Sequence, residues 1–288
     1  MATPAVALHL EGVTLRYGPD DTAPALADIS TRVCAGEVTW LFGALGAGCS
    51  SLLLVAAGLA PRHTGGDLAG SVTALDADPH SPAGRAALAG RIGYVTAAPA
   101  AQLSGVAATV WEEVAFAPAN LGWPIERIRA AVPRALARLG VGALHHRDPA
   151  TLSGGELQRV VIAAMLVLEP GVWLLDEPAS ALDHAGRLAL YEVLREEARR
   201  GAAVVIASED ADTLLGLADR MLLLDAGTVA VDGHPRDILA GNAAWQHRAG
   251  STATAALARL AARLLEPVPS GLRPPYPLDI ESAIERWR

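Results

Sequence analysis

Three short stretches carry residue types whose spacing could hold and cleave a phosphate chain. The segment GALGAGCSS, Gly43 to Ser51, follows the phosphate-loop pattern G-x-x-x-x-G-K-[ST] at Gly43, Gly48 and Ser50. Backbone N–H groups of such a loop cradle phosphates, its lysine reaches the β- and γ-phosphates, and its hydroxyl ligates Mg²⁺. Here Ala44 and Gly46 lie in the spacer and Ser51 follows Ser50, but Cys49 stands where the pattern has lysine. In LSGGELQR, Leu152 to Arg159, Gly154 and Gly155 precede a helix-forming run that begins with Glu156. Two glycines there expose N–H groups at the positive end of a helix, and Ser153 adds a hydroxyl donor: an anion cap suited to a γ-phosphate. In VWLLDEP, Val172 to Pro178, a hydrophobic strand ends in Asp176 and Glu177. The aspartate of such a pair holds Mg²⁺ in phosphoryl-transfer sites, and the next carboxylate can polarise an attacking water.

These residues need elements to position them. Val38 to Phe42 is a short apolar run that enters the glycine-rich loop, and SSLLLVAAGLA after it has helix composition. Strand, loop and helix in that order is the context a phosphate loop requires. Val6 to Val33 alternates apolar and polar residues around YGPDD, which predicts an antiparallel sheet, and GSVTALDAD reads as a second sheet piece. RIGYVTAAPAAQL is a strand running into a loop. Thr109 to Leu144 has helical periodicity broken at Pro118, Pro124 and Pro133, which predicts a small helical subdomain. GVWLLDEP and AAVVIASED read as buried strands flanking the amphipathic helix HAGRLALYEVLREEARRG, and RMLLLDAGTVAVDG as a hairpin. Such alternation predicts a parallel sheet with helices on both faces. The tail holds a helical stretch, a proline-rich link and a last short helix. No motif recurs, so the chain has one nucleotide site of its own.

Composition narrows the partners. The 288 residues are 51% hydrophobic with a formal net charge of -8. An acidic chain without a basic cluster argues against nucleic acid as a partner. All 23 basic residues are arginine; a simple drift from lysine to arginine would have put arginine at position 49. Two cysteines, Cys34 and Cys49, make no disulfide framework and fit a reducing compartment. The start, MATPAVALHLEG, lacks the basic segment of a signal peptide. The longest apolar runs reach about half the length needed to span a bilayer. A soluble chain that can dock on a membrane protein is expected.

Together the motifs resemble the ATP-binding subunit of ABC transporters, over roughly Ala7 to Leu239. The resemblance implies an α/β fold of the P-loop NTPase class: a RecA-like core, an antiparallel β subdomain and a helical signature subdomain. The ATP-binding domain would span 1–240, with the helical part at about 98–165, and a C-terminal helical extension would span 241–288. The cofactors implied are ATP and Mg²⁺. Gly43 to Ser51 becomes the Walker A loop, with Ser50 and Asp176 as Mg²⁺ ligands. Asp176 and Glu177 become the Walker B pair, Tyr17 the aromatic that stacks on adenine, and SALD, Ser180 to Asp183, the D-loop. In this family two subunits face each other head to tail. Each ATP lies between one chain's Walker A loop and the other chain's LSGGE, here Ser153 to Glu156. TVWEEVAFAPANLGWP, GVGALHHRDPATLSGGE and PPYPLDIESAI are similar to segments of energy-coupling-factor and cobalt-type importers. Those complexes join two ATPase subunits, often different, to a transmembrane coupling subunit and a substrate-binding membrane subunit. That implies a peripheral place on the cytoplasmic face of the cell membrane, with substrate chosen elsewhere.

Against that family pattern three positions depart. Cys49 replaces the Walker A lysine, Ala97 the glutamine expected after GYV, and Glu209 the switch histidine that contacts the γ-phosphate. Gln102 lies near the second position but matches a different, downstream one. All three belong to the site on this chain's own Walker A loop, whereas the signature that serves a partner is intact. Losing a charged donor costs about 1.5–3 kcal/mol, roughly 10- to 150-fold in affinity. The N–H nest remains, so phosphate binding need not vanish. A carboxylate at about 4 Å from a phosphate charge repels by roughly 4 kcal/mol at an effective dielectric of about 20. The expectation is weak or static nucleotide binding with little hydrolysis and Glu177 idle. A homodimer would carry the lesions twice, so the working complex needs a second ABC ATPase with an intact Walker A loop. The alternatives are a soluble nucleotide sensor or scaffold without a transporter, and an active ATPase that borrows a neighbour's arginine.

Other residues carry two readings each. Cys49 is a small filler of the lysine's place, or a thiol of lowered pKa at a helix N-terminus and so a redox switch. Trp111 and Trp123 are docking anchors or core. His145 and His146 lack further ligands at metal-binding spacing.

Overall fold

The computed structural model describes residues 5–18 and 23–239. The expected extension at 241–288 lies outside the described residues. Strand β1 (Val6–Arg16) pairs antiparallel with β2 (Leu26–Cys34). The chain then leaves this layer through β3 (Val38–Gly43) and α1 (Cys49–Ala56). It returns as β4 (Asp67–Ala74), which pairs with the other edge of β1 to give the order β2-β1-β4. The second sheet piece of the sequence is thus the third strand of the first sheet. Leu8, Leu10, Val13 and Leu15 point inward from β1 while Glu11 and Arg16 stay outside, the alternation of a sheet with one wet face.

After α2 (Pro82–Leu88) comes the larger sheet. It contains β5 (Ile92–Val95), β6 (Val172–Asp176), β7 (Ala203–Ala207), β8 (Arg220–Asp225) and β9 (Thr228–Gly233). The order is β5-β6-β7-β3-β8-β9. All neighbours are parallel except the β8–β9 hairpin, which turns on Ala226 and Gly227 at φ of 45° and 77°. Positive φ at both central residues is what a two-residue hairpin demands. The central strands are buried on both faces, and their side chains divide between two clusters. Trp40, Trp173, Leu175, Val204 and Ile206 face the helices. Leu41, Val172, Leu174, Val205 and Leu222 face the first sheet and α1. Burial on both faces explains why these strands read as continuous apolar runs.

Three helices cover the edge beyond β5: α3 (Val110–Asn120), α4 (Ile125–Arg138) and α5 (Gly154–Leu166). Two of the expected breaks are not breaks. Pro118 lies inside α3 and Pro133 inside α4; only Pro124 separates elements, at the α4 N-cap. Each internal proline forfeits one helical hydrogen bond, but buried neighbours hold the helices: Val114 and Ala115 in α3, Val132, Ala135 and Leu136 in α4. The remaining helices are α6 (His184–Arg199), α7 (Ala211–Leu217) and α8 (Pro235–Leu239). No helix among the described residues is long and apolar enough to cross a membrane.

Candidate nucleotide site

Because β3, β5, β6 and β7 run parallel, their C-terminal ends open on one side of the sheet, where ligands of such sheets bind. Gly43 ends β3, Asp176 ends β6, and Ala207 ends β7 beside it. There lies a cleft of about 500 Å³ lined by Tyr17, the whole loop from Gly43 to Ser51, Ala97, Asp176, Glu177 and Glu209. The sheet topology thus brings Cys49, Ala97 and Glu209 to one cavity. A cleft of similar size between α4, α5 and α6 is crossed by ion pairs and lies away from these residues.

The loop's shape is set by glycine. Gly46 and Gly48 have φ of 82° and 107°, and a Cβ on Gly48 would lie 2.7 Å from the Ala25 carbonyl oxygen. Gly48 is the N-cap of α1 and supplies no side chain to its free N–H groups, which leaves them for an anion. The Cys49 side chain folds back toward Gly43: a Cβ there would sit 3.1 Å from its sulfur. Desolvation first, then the charge of Asp176, pushes the Cys49 thiol up to about 12. The lowered-pKa redox reading of Cys49 is therefore overturned: burial and two carboxylates outweigh the helix end. Position 49 carries no charge of either sign near neutrality.

Ser50 hydrogen-bonds the Asp176 carboxyl, which burial otherwise pushes above its ordinary value. A hydroxyl and a carboxylate are the oxygen donors a hard divalent cation takes, so this pair fits Mg²⁺. Tyr17 is half-exposed at the rim, and its hydroxyl donates to Ser51 Oγ at 2.9 Å, which places the ring beside the loop.

Glu177 follows β6 at φ 47°, a strained setting for a residue with a side chain. Its N–H donates to Ala207 O at 2.8 Å, and Ser180 donates to its carbonyl through N–H (3.2 Å) and hydroxyl (3.0 Å). Both carboxylate oxygens are engaged: Ser208 Oγ donates at 2.9 Å and the Glu209 N–H at 3.0 Å. Desolvation raises its pKa; those two hydrogen bonds oppose the shift, and the charges of Glu209 and Asp176 add to it. Ser208 was not among the residues singled out from sequence. It is buried, and the Trp40 indole on β3 fixes it by donating to its carbonyl at 2.8 Å. The hydroxyl beside Glu209 in ASED was the available signal.

Gln102 takes no part in the cleft. Its amide accepts from Thr96 N–H and donates to Tyr94 O, both at 2.8 Å, which pins the end of β5 and leaves the exposed Ala97 methyl at the cavity.

Ser153 to Glu156 do not line the cleft. Ser153 is the N-cap of α5 in a capping box: its N–H and hydroxyl both donate to Glu156 Oε2 at 2.8 Å. The backbone and side-chain hydrogen bonds from Ser153, in that order, lower the Glu156 pKa. Ser153 and Gly154 are exposed. Behind them sits the SALD segment: a Cβ on Gly155 would lie 3.0 Å from Ala181 O, and Asp183 Oδ1 caps α6 by accepting from Gly186 N–H at 2.8 Å. Trp111 and Trp123 are half-buried and pack against the core, with the Arg127 guanidinium 3.3 Å from the Trp123 ring centroid. The rings of His145 and His146 lie 3.8 Å apart, and no group of three metal-binding side chains occurs among the described residues.

A phosphate loop at the end of β3 in a parallel sheet, a carboxylate pair at the end of β6 and a serine–glycine helix cap elsewhere define a P-loop NTPase with the parts of an ABC ATPase. Residues 26–180 match the family model described as ABC transporter. The chain belongs to that family. It is 38% identical over 240 residues to the nickel import ATP-binding protein NikO of Rhodobacter capsulatus, across 82% of this chain and 92% of that one. It is 35% identical over 224 residues to the energy-coupling factor transporter ATP-binding protein EcfA2 of Methanospirillum hungatei, across 77% of this chain and 54% of that one. Among solved structures it is similar to cbiO1 of Clostridium perfringens, described as part of the ABC transporter complex cbiONQ. There the TM-score is 0.71 at 29% identity, over 90% of this chain and 98% of that one. A bacterial ABC transporter cassette solved as a dimer shares the fold, with TM-score 0.70 at 22% identity over 79% and 98%.

Proposed function

We propose that the chain is the impaired half of a heterodimeric ATPase pair that powers an importer of the energy-coupling-factor type. One observation carries the reading. Cys49, Ala97 and Glu209 all line the cavity of the chain's own phosphate loop, while the Ser153 cap lies outside that cavity, exposed and with its capping box complete. Gly43 to Ser51, with Tyr17 at the rim, hold nucleotide weakly or statically; Ser50 and Asp176 hold Mg²⁺, which offsets phosphate charge when bound. Glu177 stays tied to Ser208 and the Glu209 N–H and does not activate water. Ser153, Gly154 and Gly155 close over the terminal phosphate in the partner's site, and Ala181 and Leu182 of the Ser180–Asp183 segment pack behind them.

The names of the NikO, EcfA2 and cbiO1 relatives support an importer. Docking to a transmembrane coupling subunit is supported by Val106, Phe116, Leu121 and Ile125, exposed apolar side chains around α3 and the start of α4. The chain would then sit on the cytoplasmic face of the membrane. Purification of the tagged chain from its own membranes in mild detergent tests the reading. A second ATPase with a complete Walker A lysine and a polytopic membrane protein should come with it. Recovery of the chain alone from the soluble fraction, or ATP turnover by the isolated chain at transporter-like rates, would overturn the reading.

A further inference from the structure

We propose that the cleft on the Gly43–Ser51 loop selects a nucleoside diphosphate with Mg²⁺ over the triphosphate, and that Glu209 sets the selection. This rests on the preceding reading that the loop is a nucleotide site with impaired chemistry, and names the ligand it takes.

The phosphate-binding groups of the cleft divide by the phosphate they serve. Loop N–H groups serve the α- and β-phosphates. They are in place here: Gly46 and Gly48 hold the left-handed turns, and the first N–H groups of α1 have no side-chain cap. The oxygen pair for the divalent cation, Ser50 and Asp176, is in place as well. The groups that would meet a third phosphate are not. Position 49, which would reach the β- and γ-phosphates, holds a short cysteine side chain in place of a cation, turned back on Gly43. Among the described residues no arginine or histidine lines the cleft, and its charged lining consists of Asp176, Glu177 and Glu209.

These carboxylates differ in what holds them. Asp176 is paired with Ser50, and Glu177 with Ser208 and the Glu209 N–H. The Glu209 side chain is exposed and has neither a salt bridge nor a hydrogen bond among the described residues. It lines the cleft with no arginine or histidine beside it among the described lining residues. A diphosphate keeps the N–H nest and the cation pair. A triphosphate adds further negative charge, finds no added cation, and meets Glu209. Removal of the terminal phosphoryl group therefore removes repulsion without removing an attraction.

Calorimetric titration of the purified full-length chain with Mg-ADP and with the non-hydrolysable Mg-AMP-PNP tests this. ADP should bind at least about tenfold tighter, the scale of one charge-assisted contact. Glu209→Gln should narrow the ratio to within about threefold by tightening AMP-PNP while leaving ADP unchanged, and Glu209→His should shift it further the same way. Glu209 is exposed, so both variants should melt with the parent chain. AMP-PNP binding as tightly as ADP, or a ratio unmoved by Glu209→Gln, would overturn the proposal and leave the impaired-half reading standing, as would absence of binding by either nucleotide at millimolar concentration. ATP turnover by the isolated chain would overturn the preceding reading instead.

Discussion

At the scale of single residues, the chemistry of the cleft is decided by neighbours rather than by residue type alone. A thiol at a helix N-terminus ordinarily ionises more readily, but Cys49 is partly buried beside Asp176 and Glu177 and is pushed up to about 12. In a Cys34→Ser background, iodoacetamide should modify Cys49 far more slowly at pH 7 than a free thiol, and the rate should still be rising at about pH 10. A plateau near neutrality would show a thiolate. Ser208 supplies the second residue-scale expectation. Burial raises Glu177 and Asp176 above their ordinary values. The folded chain then binds more protons at these two groups than the unfolded chain does. Their contribution is therefore most favourable at low pH and falls as pH rises from about 4 through the folded values. Ser208→Ala removes a hydrogen bond to the ionised Glu177 and pushes that residue higher. The variant should lose about 1–2 kcal/mol relative to the parent at pH 8 and much less at pH 4, measured by urea unfolding. An equal loss at both pH values would show that the hydroxyl does not act through Glu177. Cys49, Ala97 and Glu209 were legible in the sequence because each is a departure from a pattern. Ser208 was not, because its role depends on a loop held by Trp40 from another strand.

At the scale of elements, the strands were the most legible. β3, β6 and β7 are short apolar runs because both of their faces are buried, and runs of that kind stand out. The helical layer was less legible. Pro118 and Pro133 read as breaks, yet α3 and α4 continue through them because burial of Val114, Val132 and Leu136 outweighs one lost hydrogen bond each. Long-range ion pairs were invisible in the sequence for the same reason that they matter: Arg138 on α4 reaches Glu197 at 2.6 Å and Glu196 at 2.9 Å on α6. The Ser180–Asp183 segment also has a local duty that its motif does not reveal, since Asp183 caps α6. Asp183→Ala should destabilise the chain by about 1 kcal/mol in chemical denaturation, and Asp183→Asn, which keeps an acceptor, by clearly less. Equal losses would mean that the charge, rather than the cap, is what counts.

At the scale of the whole molecule, the parallel sheet explains why Cys49, Ala97 and Glu209, distant in sequence, line one cavity, and why the Ser153 cap lies outside it. Strand ends gather Gly43, Ala97, Asp176 and Glu209 on one side, and the start of α5 lies outside that cavity. The existence of these two surfaces was readable from the motifs, whereas their separation needed the topology. On the proposed reading, an impaired site beside a complete signature predicts an asymmetric machine with one working site, built from this chain's Ser153, Gly154 and Gly155 and the partner's phosphate loop. The most direct measurement is the steady-state ATPase rate of the assembled complex with Ser153→Arg in this chain alone. An arginine at the α5 N-cap removes the hydroxyl and fills the space above the free N–H groups. If the complex has one working site, the rate falls to background, at least about 100-fold, the scale of losing a preorganised donor to a developing anion. If half or more of the rate survives, the site on the Cys49 loop turns over ATP and the asymmetric reading is wrong.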